Sequence, residues 1–200
     1  MAALPFVDTH VHFYDLQHPT LRYGWLQPGV EHHILESIEP IQAQRYWADD
    51  WVAESRFANV VKSIHVECAV GTPDPVEESR WMQSFADRLG HPHGFVAEVH
   101  LAQPDAEDAI EQHMQFANMR GVRDFGEGDY LVDAAWRRGF AHLRKHDLVA
   151  CIDPKPETYG QIKQLAMAFP DIRISLDHAG LPLRRDDDYM AFWRREIASL

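Results

Sequence analysis

The sequence predicts an α/β fold, a parallel sheet covered by helices. Three observations predict it: six short runs rich in valine, isoleucine or phenylalanine, polar segments between them with apolar residues at helical spacing, and short connections throughout most of the chain. This alternation suits a (β/α)-barrel and an open doubly wound sheet alike, and the pattern by itself does not choose between them.

The strands are predicted over residues 6–13, 60–70, 94–101, 120–125, 148–153 and 172–178. Side chains alternate along a strand, so in the first Phe6, Asp8, His10 and His12 share one face and Val7, Thr9 and Val11 the other. Residues 15–59 form the one long connection; it contains Tyr23, Trp25, Trp47 and Trp51 and reads as a loop over the site plus one helix. In the second strand Ser63, His65 and Glu67 lie opposite Ile64, Val66 and Cys68. A helix over 75–89 follows, opened by Pro75, where a missing amide hydrogen costs nothing. The third strand sets Glu98 and His100 against Phe95, Ala97, Val99 and Leu101, and a helix over 104–119 starts at Pro104. Gly121 and Arg123 share a face of the fourth strand; the next helix, 134–146, carries Trp136, Phe140 and Leu143 on one side. After the fifth strand comes a helix over 157–169. The sixth strand places His178 with Ile174 and Leu176 and turns Asp177 outward, with Gly180 making the turn before a last helical stretch, 189–200.

The chain has 200 residues, 46% hydrophobic and 25% charged, which suits one domain over residues 1–200 with one substantial core. A formal net charge of −12 repels phosphate backbones and anionic lipid, so nucleic acid and membrane are excluded as expected partners and a small-molecule substrate is favoured. The opening residues lack a basic region followed by an apolar run, and no later stretch approaches a membrane span, so a cytoplasmic address is expected. Cys68 and Cys151 sit in apolar runs as reduced, buried thiols.

Histidine is over-represented, 13 of 200, which points to metal or proton-transfer chemistry. Two imidazoles two residues apart on the inward face of a strand, behind an inward aspartate, converge on one cation. Glu67 reads as a metal or substrate contact or as part of a solvated sheet edge. His100 reads as a residue beside the site or as a structural histidine. Arg123 reads as a clamp for a substrate carboxylate or ring oxygen, or as an ion-pair partner of Asp8 or Glu98. His91-Pro92-His93 is set aside as a solvated turn, and His32-His33 lies in the long loop, poorly placed for a ligand.

The run Asp8-Thr9-His10-Val11-His12-Phe13 resembles the first strand of the amidohydrolase superfamily. Tyr23-Gly24-Trp25-Leu26, Gly121-Val122-Arg123 and Leu176-Asp177-His178-Ala179-Gly180 are similar to its amidohydrolase-2 type, lactonase-like branch, in the same order. The resemblance implies a (β/α)8 TIM barrel, of which about six strands lie in these 200 residues, so the fold is expected to be C-terminally incomplete or completed by a partner, with a homo-oligomer among the expectations. It implies metal ligation by His10, His12 and His178, and substrate contacts from Glu67, His100, Arg123 and Trp25. The general-base aspartate of the family belongs to an eighth strand, beyond residue 200. Residues 120–125 contain no lysine to bridge two metals, so one divalent ion is expected, zinc first, with manganese, iron or a metal-free site as alternatives. The implied reaction is metal-assisted hydrolysis of a sugar-acid or dicarboxylate lactone. The alternatives are metal-dependent decarboxylation of an aromatic or muconate-type acid, and a barrel that binds without catalysis.

Overall fold

The structure, a computed structural model, describes residues 4–32, 36–126, 128–153 and 155–200. His33 lies outside them. The chain forms two compact units, Met1–Glu98 with Gln112–Arg120, and Val99–Glu111 with Gly121–Leu200.

In the first unit, strand β1 (Phe6–Val11) pairs in parallel with β2 (Val60–Val66), and β2 with β3 (Gly94–Glu98). Phe95 N–H donates to the Asn118 carbonyl at 2.9 Å, just before β4 (Met119–Arg123) begins. Every residue of β3 is buried, as an unbroken Phe-Val-Ala run requires, whereas Phe6 on β1 is 60% exposed. Helix α1 (Ala48–Ser55) starts where Asp50 accepts from the Trp47 amide at 2.8 Å. Helix α2 (Val76–Leu89) buries Val76, Met82 and Phe85 and ends at Gly90, whose φ of 74° only glycine adopts without penalty. Helix α3 (Ala106–His113), whose residues up to Glu111 belong to the second unit, is shorter than the periodicity predicts.

The long connection is more than a loop and one helix. Tyr14, Leu21, Tyr23, Leu26 and Ile38 form a buried cluster with Cys68 and Ala69, and the short pair Tyr14–Asp15 with Arg45–Tyr46 closes it.

In the second unit the end of β4 pairs in parallel with β5 (Val149–Ile152), and β5 with β6 (Ile174–Leu176). Helix α4 (Ala134–Ala141) is capped by Asp133, which accepts from the Trp136 amide at 2.8 Å, and stacks Trp136 on Phe140 at 5.1 Å. Helix α5 (Tyr159–Ala168) buries Tyr159, Ile162 and Leu165, and α6 (Asp187–Ile197) buries none of its side chains. Both cysteines are buried thiols. Among the described residues no helix is long and apolar enough to cross a membrane.

The observed strands stop short of the predicted runs. His12, Glu67, His100 and His178 all lie one or two residues past a strand's C-terminal end, in the turns that follow. For His178 this overturns the alternation: β6 ends at Leu176, and His178 and Ala179 adopt φ of 50° and 55°. The left-handed turn buries Asp177, 4% exposed, instead of turning it outward.

Candidate functional site

The candidate residues fall into two sets, one in each unit. In the first, β1 delivers His10 and His12 with ring centroids 5.0 Å apart and planes at 89°. Asp8, on the same face, does not face the rings as a ligand; its Oδ2 accepts from Trp51 Nε1–H at 2.9 Å and its Oδ1 from the His10 amide at 3.2 Å. His12 Nδ1 lies 2.9 Å from the Val66 carbonyl oxygen, which only accepts, so the proton sits on Nδ1 and the lone pair on Nε2. Trp25 stands edge-on to His12 at 5.9 Å, fixed by donation from its indole N–H to the Cys68 carbonyl at 2.8 Å. Glu67 is buried at 1% exposure on the turn after β2.

Behind this group is a cluster that sequence reasoning only half found. His65 Nε2, Cys68 Sγ and Glu78 Oε1 lie within 4.8 Å of one another, spaced as metal ligands are. Their hydrogen bonds indicate a different use. His65 Nδ1 accepts the Phe13 amide at 3.1 Å, so Nε2 carries the proton and donates to Glu78 Oε1 at 3.2 Å. The same oxygen accepts the Cys68 and Ala69 amides at 3.0 and 3.1 Å. A cation would have to displace all of these, so the cluster is a clamp that fixes the turns carrying His12 and Glu67. His65 is legible from strand alternation; Glu78, in the first turn of α2, has no sequence signal.

The set in the second unit centres on Arg123, 4% exposed. Its Nη2 lies 3.1 Å from Asp153 Oδ2, its Nε 2.9 Å from Asp177 Oδ2, and its guanidinium 4.1 Å from the Phe125 ring. Asp153 and Asp177 thus meet the ion-pair reading of Arg123. His178 Nδ1 donates to Asp153 Oδ1 at 2.9 Å, and in the neutral ring the lone pair is then on Nε2. Burial pushes the Asp177 carboxyl up to about 6 against the pull of Arg123, with the Asp153 charge adding to the rise. Burial pushes Asp153 up as well, but its hydrogen bond and charge interaction with His178, with Arg123 adding to them, outweigh burial and hold it below the usual carboxylate range. Asp153 was missed because nothing marks an aspartate just past an apolar run as inward.

His100, 63% exposed at its side chain, borders a cleft of about 780 Å³ with Gln103, Asp124, Asp129, Tyr130 and Trp136. Asp124 Oδ2 accepts from the Leu101 amide at 2.8 Å and from Trp136 Nε1–H at 2.9 Å, while Oδ1 stands 4.0 Å from His100 Nδ1. The set-aside His91 and His93 are half-buried, with His91 packed 4.8 Å from the Trp51 ring.

Comparison with known proteins gives these arrangements a context. The sequence profile described as "Amidohydrolase" matches residues 7–200. An uncharacterized protein of Sinorhizobium fredii is 30% identical over 212 residues, covering 100% of this chain and 70% of that protein. An L-fucono-1,5-lactonase of Burkholderia ambifaria is 23% identical, covering 88% of this chain and 57% of the lactonase. The crystal structure of an amidohydrolase from Burkholderia multivorans with bound zinc superposes with a TM-score of 0.75 at 23% identity, over 97% of this chain and 66% of that one. The likeness in structure shows a shared α/β fold of the (β/α)-barrel type, and the chain spans about two thirds of the solved structure's length. With a profile that matches nearly its whole length, the chain belongs to the amidohydrolase family of enzymes.

Proposed function

We propose that the protein hydrolyses a small lactone, the cyclic ester of a sugar acid or a dicarboxylic acid, with one divalent cation, zinc first, held by His10, His12 and His178. The observation that carries the reading is a hydrogen-bonding pattern shared by two of the three rings. His12 donates from Nδ1 to a backbone carbonyl and His178 from Nδ1 to a carboxylate, so the neutral form of each ring offers its Nε2 lone pair, as metal-ligating histidines do. The lactone is supported by the Burkholderia ambifaria relative, an L-fucono-1,5-lactonase.

A cation held there supplies Lewis acidity toward an ester carbonyl and a nucleophile at neutral pH. The chain's own groups do the positioning. Asp153 orients the His178 ring while pairing with Arg123, and Arg123 holds Asp153 and Asp177 together as one fixed array. On this reading Trp25, beside His12, and buried Glu67 contact substrate from the first set, and His100 from the second.

Protein purified without chelator is expected to carry about one zinc per chain by elemental analysis and to release protons from an aldonolactone. His12→Ala should lose metal and lower turnover by about a hundredfold or more. Undiminished turnover in that variant overturns the metal role, and carbon dioxide release from an acid substrate in place of proton release overturns lactone hydrolysis.

A further inference from the structure

The cleft of the second unit has a chemistry that separates the two lactone classes. Its floor is Asp124, 8% exposed, whose Oδ2 is taken by the Leu101 amide and the Trp136 indole at 2.8 and 2.9 Å. Among the described residues Oδ1 has no hydrogen bond, and His100 Nδ1 stands 4.0 Å away. A carboxylate oxygen that stays accessible on an otherwise buried side chain lining a cleft can take a donor from a ligand, and a hydroxyl is the donor that brings no charge. Phe125, 48% exposed, and Tyr130 add ring surface to the walls.

The charge points the same way. Asp124, Asp129 and Asp133 are among the described lining residues, with no lysine or arginine. Arg123, the nearby cation, is balanced by two carboxylates at 3.1 and 2.9 Å and covered by the Phe125 ring. A dianionic ligand would meet like charge with no counter-cation, whereas the hydroxyls and ring faces of a neutral sugar ring match the acceptors and aromatic walls.

We propose that this cleft is a recognition subsite for a neutral, polyhydroxylated ring, with Asp124 Oδ1 accepting from a ring hydroxyl and His100 at the rim, and that it selects against dicarboxylates. The proposal rests on the lactonase reading for its place in a reaction, but binding alone tests it.

The test is titration calorimetry of the purified protein with two probes, a neutral hexonolactam, which mimics the lactone and resists hydrolysis, and the muconate dianion. The lactam is expected to bind about tenfold or more tightly than muconate. Asp124→Asn keeps an acceptor for Leu101 and Trp136 but turns a donor toward the cleft, and should weaken lactam binding about tenfold while leaving muconate binding no weaker. Muconate binding as tight as the lactam, no binding of either probe, or unchanged lactam affinity in folded Asp124→Asn overturns the subsite. If Asp124→Asn does not fold, Gln103→Lys decides: muconate affinity should rise severalfold with little change for the lactam, and an unchanged muconate affinity overturns the charge selection. Lactam binding without any lactone turnover removes the lactonase reading and leaves the subsite standing.

Discussion

Burial holds His113 neutral, with a pKa lowered to about 4 that its hydrogen bond to the Glu98 backbone and the charges of Asp74 and Glu78 only partly offset. Its Nδ1 accepts from the Ser79 hydroxyl at 2.8 Å, and both residues are almost wholly buried. A free imidazole takes its proton near 6.5, so between about pH 6.5 and 4 the unfolded chain binds a proton that the folded chain refuses. The contribution is therefore fully present above pH 6.5 and is lost as pH falls toward 4, by about 3 kcal/mol in all. Asp177, raised to about 6, acts with the opposite sign over part of that range, so the comparison must be differential. Urea denaturation at several pH values is expected to show a shallower acid loss for His113→Gln than for the parent. Equal slopes would mean that the ring is protonated in the fold. Among single residues the histidine pair at the end of β1 was legible because strand alternation is local. Glu78, Asp124 and Asp153 were not, because what gives each its role is a partner 10 or more positions away.

At the level of elements, the strands could be read from apolar runs and the helices from their spacing, but neither signal marks where a strand stops. Residues just past the strand ends keep the alternating look of the strand while entering turns, and His12, Glu67, His100 and His178 of the candidate site are such residues. His178 is the clearest case, since two consecutive left-handed residues rotate the chain out of the sheet pattern. One contact between elements has a measurable cost. Gly139 in α4 faces the Leu101 carbonyl so closely that an added Cβ would lie 2.0 Å from its oxygen. Gly139→Ala must push the 100–103 turn away or shift the helix, and about 2 kcal/mol of lost stability is expected. Because His100 and Gln103 on that turn border the cleft, lactam affinity should fall with it. A variant as stable as the parent, with unchanged affinity, would show that the turn yields freely.

For the whole molecule, the long connection is where reading by pattern fell furthest short. Its cluster is assembled from Tyr14, Leu21, Tyr23, Leu26 and Ile38, whose spacing matches neither helix nor strand. If the histidines hold a cation, folding and binding are linked. Dialysis against chelator is then expected to lower the melting temperature, and excess zinc to restore it; with ligand at a hundred times its Kd the linkage is about 2.7 kcal/mol. Identical melting curves with and without chelator would show that the described histidines bind no ion in the folded state.

One oxygen of Glu78 gathers the amides of Cys68 and Ala69 and the His65 ring, which in turn takes the amide of Phe13. Three backbone protons from two distant points in the chain thus depend on a single helix staying in place. In heavy water they should exchange as one cohort, at the rate at which α2 lifts away, and not at the separate rates of the turns in which they sit.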